Sequence, residues 1–307
     1  MQSNQSYKQT ENKLKVLLNA ASDLTYSFLR YVILISISFV VLYPFLYMLS
    51  IAFRPAVEML DLTVIWIPKN PTLDTIKIAL NGMDYRTTLP NTIYLSLLGT
   101  GLQLAICSVT AYGFARFKFK EKNILFAILI FTIILPPQTV TIANFIQFRN
   151  FGILDNPLAF YLPAITANGI RSGLFVFIYR QFFSNMPADL EDAAYIDGCG
   201  PFKTFLKIML PNAGASVIIV FLFSMVWYWN DTFFSGMYLE RMQTISVALE
   251  SLRSNLSVMI PGIQADMFTI SAYMQAGVVL TIFPILVIYV FMQKYFTESI
   301  ARTGLVG

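Results

Sequence analysis

From Tyr31 to Phe53 the chain runs without one charged side chain, and five further long blocks follow that contain neither Asp nor Glu. A bilayer's hydrocarbon core needs about 20 apolar residues per helix, and blocks of that length are the signature of membrane spans. Charged residues make up 12% of the 307, about half of what a soluble domain carries, while 56% are hydrophobic. Strands of a β-barrel would alternate over about 10 residues, and no such alternation runs through this chain. The fold class expected is all-α, a polytopic membrane bundle of six transmembrane helices.

The six blocks lie near Tyr31–Phe53, Ile93–Phe114, Ile124–Ile142, Pro163–Phe183, Ala213–Trp229 and Phe268–Met292. Pro44, Pro136, Pro137, Pro163 and Pro284 fall within or beside them, and membrane helices accommodate such breaks through neighbouring helices and cavity water. The first block is too long for a signal-peptide core and lacks a small-residue cleavage site, so it reads as a retained span. The chain then divides into an N-terminal cytoplasmic segment 1–30, a permease domain 31–293 and a cytoplasmic tail 294–307.

Lysine and arginine set the expected orientation. Arg116, Lys118, Lys120 and Lys122 crowd the short link between the second and third spans, the kind of loop that governs the positive-inside rule. Lys8, Lys13, Lys15, Lys203, Lys207 and Arg302 fall on the same side, which places both termini in the cytoplasm. The links near 54–91 and 231–267 then face outward, and residues 180–212 form the longest inner loop. The net charge of +4 calls for no nucleic-acid partner. Cys107 lies in an apolar block and Cys199 in the inner loop, poor places for a disulfide. With no histidine, a metal site is not expected.

The inner loop has its own logic. Pro187 can open a helix whose first turn carries Asp189, Glu191 and Asp192, favoured there by the macrodipole. Leu190, Ala193 and Ala194 share one small apolar face. Gly198 is placed to end the helix at positive φ, and Gly200-Pro201 prevents continuation. A second amphipathic stretch, 202–210, carries Phe202, Phe205, Leu206 and Met209 on one face. The pattern fits equally a helix that docks on a partner and one that packs under its own bundle.

This loop resembles the Glu-Ala-Ala loop of ABC-importer permeases, with Glu191, Ala193, Ala194, Asp197, Gly198, Leu210 and Pro211 in the matching places. Asp192 stretches the triplet, and a proline common after Leu-Pro is missing. The likeness spans nearly the whole chain and is strongest to carbohydrate-type permeases. Trp229-Asn-Asp-Thr-Phe233, Ala111-Tyr-Gly-Phe-Ala-Arg116 and the tail from Met274 through Pro284, Tyr289 and Phe296 to Thr303, Gly304 and Gly307 all carry it, with Ser299 where Gly is usual. The resemblance implies a type I importer fold, a coupling helix seated in a cytoplasmic ABC ATPase dimer and a second, different permease subunit. It also implies an extracellular solute-binding protein, and ATP and Mg bound by the ATPase alone.

Two places suggest themselves for the solute's path. Trp227, Tyr228, Trp229, Asn230 and Asp231 gather aromatic faces and polar groups at one span end, although aromatics also anchor membrane interfaces. Arg171 is the other. A guanidinium inside the bilayer costs on the order of 3 kcal/mol unless it meets a partner or a water-filled cavity, or reaches the surface. Gly169 and Gly173 flank it at a spacing that permits close helix packing. No phosphate-cradling loop and no catalytic constellation can be read in the chain. The function expected is the permease subunit of an ATP-driven sugar importer in the bacterial cell membrane, in contact with lipid and not itself an enzyme. The alternatives are an importer of the same class for an amino acid or peptide, and an ion-coupled transporter, which would call for paired carboxylates that the six blocks lack.

Overall fold

A computed structural model describes the backbone of residues 2–61, 63, 66–263 and 266–304, with side chains from 23 to 295. The side chains of Lys8, Lys13, Lys15, Phe296, Ser299, Arg302, Thr303 and Gly304, and all of Gly307, lie outside the described residues. The described residues are predominantly helical, with no strand among them. Three helices are long and apolar enough to cross a membrane: α1 (Gln2–Ala52) over Asp23–Ala52, α3 (Tyr85–Arg116), and α14 (Met267–Gly304) over Met267–Tyr295. Two sharply bent pairs raise the number to five if each is one span. α1 begins well before Tyr31, so the backbone of the segment expected as a separate cytoplasmic stretch continues the first helix.

The expected third span is broken. α4 (Lys122–Ile134) and α5 (Gln138–Asn150) meet at a bend of 100°. Pro136 and Pro137 remove two successive N–H donors and force Leu135 into extended backbone (φ −64°, ψ 129°), so the helix cannot continue.

The expected fourth span is also two pieces, α6 (Leu158–Ile165) and α7 (Ser172–Asn185), separated by residues 166–171. The link Thr-Ala-Asn-Gly-Ile-Arg holds Ala167 and Arg171 at φ of 56° and 59°. Poor helix formers and a glycine let the backbone turn where an apolar count sees only continuity.

The fifth span appears as α11 (Gly214–Trp229) within a residue of expectation. It is bent by 79° from the preceding helical segment Pro201–Asn212.

α3 is the spine. Thr88, Thr92, Ser96 and Thr100 form a buried stripe at four-residue spacing, the small surface that lets membrane helices approach. Gly99 continues it, since a Cβ there would lie 2.8 Å from Tyr228 Cζ. At one end of the bundle α2 (Asp74–Gly82), α12 (Phe233–Tyr238) and α13 (Ile245–Met259) fill the links expected to face outward. α13 joins the core through Ile245, Ala248, Leu252 and Leu256, packed with Met83, Met225 and Trp229. Asn255 Nδ2 donates to the Gly82 carbonyl at 2.9 Å.

Candidate functional site: a mounted surface helix and a broken span

At the opposite end α7 stops and the chain enters α8 (Asp189–Ile196), so the loop proper begins after Asn185 and Arg180 belongs to the span. Gly198 stands at φ +76°, where the turn requires it, and the Cys199 N–H donates to the Ala194 carbonyl at 2.9 Å to close the helix. α9 (Pro201–Thr204) follows, then a π-helical turn over Phe205–Met209. That turn splits the expected apolar face. Phe205 and Met209 point into the core, while Phe202 and Leu206 stay exposed.

The expected coupling residues divide likewise. Ala193, Asp197 and Gly198 are exposed, as are Tyr195 and Ile196. Glu191 and Ala194 are buried against the chain's own bundle, so they do not share one partner-facing surface with Ala193. Sequence reasoning missed what receives Glu191. Tyr112 Oη donates to Glu191 Oε1 at 2.6 Å. Arg116 Nε lies 3.1 Å from Oε2, close enough for an ion pair. An Arg116 terminal N–H donates to the Met186 carbonyl at 2.6 Å. The last turn of α3 thus grips both the start and the body of the surface helix. Around this grip Tyr112, Tyr179, Phe183, Phe205 and Met209 form one core cluster. The signal was present in the motif Ala111–Arg116, whose tyrosine and arginine lie on neighbouring turns of one helix.

The solute-path candidates also part company. Trp229 is fully buried, its indole N–H donating to the Thr281 carbonyl at 3.0 Å and its own carbonyl accepting from Ser246 Oγ at 2.6 Å. It is a core residue, neither an interfacial anchor nor open to solute. Tyr228 is buried too, between Gly99 and Phe160. Asp231 receives the Phe234 and Ser235 N–H groups and the Ser235 hydroxyl, capping α12. Burial raises its carboxyl pKa against those bonds, which lower it. Asn230 is exposed and donates to the Val226 carbonyl at 3.0 Å.

Trp227 and Arg171 are brought together. The guanidinium carbon lies 4.6 Å from the indole centroid, and Trp227 is 41% exposed. Beneath them Gln103, wholly buried, donates to the Ile170 carbonyl at 2.7 Å and to Ser172 Oγ at 3.1 Å, and accepts from Ser224 Oγ at 2.5 Å. Gln103 therefore fixes the 166–171 break to α3 and α11. A Cβ at Gly169 would fall 2.8 Å from its side-chain nitrogen, so only glycine admits this contact.

Residues 103–302 match the family described as the binding-protein-dependent transport system inner membrane component. An arabinooligosaccharides transport system permease protein of Halalkalibacterium halodurans is 29% identical, over 88% of this chain and 93% of its own length. A polygalacturonan/rhamnogalacturonan transport system permease protein of Bacillus subtilis is 26% identical, over 89% and 96%. Among solved structures, a chain of a bacterial ABC transporter involved in the import of the acidic polysaccharide alginate superposes with a TM-score of 0.73. It shares 21% identity, with 90% of this chain and 98% of that one covered.

Proposed function

We propose a function from one premise: the chain belongs to the family of binding-protein-dependent transport system inner membrane components. It is a membrane permease subunit of an ABC transporter, and we assign it to the import of a sugar or oligosaccharide. The relatives named for arabinooligosaccharides and for polygalacturonan support that solute class. The partners in this reading are a second permease subunit, a cytoplasmic ABC ATPase dimer that binds the ATP and Mg, and an extracellular solute-binding protein. Both termini face the cytoplasm of a bacterial cell.

One observation carries the coupling role. On either side of the Gly198 turn, Ile196 at the end of α8 is 86% exposed and Phe202 on α9 66%, while the other side of α8 is fastened to α3 through Glu191. Apolar side chains displayed on a rigid mount fit insertion into a partner's cleft. Motion of the ATPase subunits would then pass through Glu191 and Arg116 into α3. The test is co-purification of the ATPase, and binding-protein-stimulated hydrolysis, for Gly198→Asp and Ala193→Trp. Aspartate at Gly198 costs about 1 kcal/mol in the left-handed region, and tryptophan at the exposed Ala193 holds a groove away. Both variants should insert normally and lose ATPase association or stimulation. Normal assembly and coupling in both would refute the assignment of this surface.

A further inference from the structure

The break between α6 and α7 lies deep in the bundle. Gln103, which holds it, stands near the middle of α3, a helix long enough to cross the membrane. From Gln103 to the Arg116 end is roughly 20 Å at about 1.5 Å per residue, well inside a hydrocarbon core of about 30 Å. At that depth non-helical backbone persists only where protein buries it or water reaches it. Thr166 and Asn168 are exposed in the break and Arg171 is partly so, polar groups suited to water or a polar partner and not to lipid.

Arg171 opens α7 in left-handed backbone, a conformation that costs energy in a non-glycine residue and gathers at functional sites. No ion pair of Arg171 is found among the described residues; its neighbour is the indole face of Trp227. The guanidinium and the N-terminus of the fourteen-residue helix α7 add their positive potential at one point. Beside it the exposed stripe of α11 offers Phe223, Trp227 and Asn230, an aromatic surface with an amide.

We propose that this break is a solute-binding point for an anionic saccharide. A uronate carboxylate is held by Arg171 in two parallel hydrogen bonds, with the sugar ring against Trp227. The proposal rests on the carbohydrate-import reading and narrows it to acidic oligosaccharides.

Cells carrying the complete importer should be given radiolabelled trigalacturonate and, separately, arabinotriose, with the amount of assembled complex in the membrane measured in parallel. The parent should take up trigalacturonate in preference to arabinotriose. Arg171→Gln should lose at least tenfold of trigalacturonate uptake per assembled complex, Arg171→Lys should retain part of it, and Trp227→Ala should also be impaired. If the parent carries arabinotriose and Arg171→Gln carries it equally well, the anionic site is overturned and the carbohydrate reading stands. If the loss in Arg171→Gln only tracks a loss of assembled complex, Arg171 supports the fold and the proposal fails. If the parent carries neither trisaccharide although the complex is assembled, the anionic site is overturned, while the carbohydrate reading, which names no particular sugar, stands.

Discussion

Adjacent residues at the end of α11 meet opposite environments, and substitution should separate them. Trp229 fills the core beside Met225, Ile245 and Leu252 and holds the Thr281 carbonyl, so Trp229→Ala opens a cavity worth about 3–5 kcal/mol. Thermal unfolding of the detergent-solubilised complex should shift down sharply and assembled complex should fall. Asn230→Ala removes an exposed amide that bonds only within its own turn, and should leave unfolding unchanged. A similar loss for both would mean that Trp229 is not a buried core residue. Composition marked this aromatic cluster as noteworthy, yet it could not sort its members. Which ring is buried depends on Ser246 and Thr281, which sit on helices far along the chain. Gly198 is the contrary case. Its role follows from the residues on either side, so its positive φ was legible without any knowledge of tertiary structure.

At the scale of elements, uncharged length located the membrane helices, and local backbone chemistry decided which of them run straight. The Pro136-Pro137 pair and the Thr166–Gly169 run each break an apolar block, because donor loss and turn-forming residues act locally within a stretch whose burial looks uniform. The mounting of α8 was legible only in part. Both halves of it, Glu191 and the Tyr112/Arg116 pair, were noticed as motifs, but pairing them needs the approach of α3 to α7 and α8. That pairing makes a prediction. Glu191→Gln leaves the Arg116 guanidinium, only 13% exposed, without its carboxylate, at about 2 kcal/mol. Glu191→Gln and Arg116→Met should each lower the ratio of solute imported to ATP hydrolysed. The double variant should lose less than the sum of the two, because no uncompensated charge is left behind. Strict additivity in that cycle would show that the two side chains do not act as one joint.

The whole molecule has a polarity that its helices make explicit. One end carries the α2–α12–α13 cap and the other carries α8 with the basic link after α3, so a single orientation decides what each end can meet. The chain also shows an unfinished outer surface. α1 exposes apolar side chains along most of its length from Leu24 to Leu49, as a helix does when lipid or a second subunit is its solvent. Under the proposed orientation, which follows the positive-inside rule, Lys118 and Lys120 are cytoplasmic and the cap is outside. Single cysteines test this in a background where Cys199, partly accessible, is replaced by serine, while the buried Cys107 is left in place. Lys120→Cys and Ser184→Cys should stay unmodified when intact cells meet an impermeant thiol reagent, and should react once the membrane is permeabilised. Ser254→Cys, exposed on α13, should react in intact cells. Labelling of the first two from outside, with protection of the third, would invert the molecule. It would turn α8 away from any cytoplasmic ATPase, so the coupling role of the Gly198 turn stands or falls with this measurement.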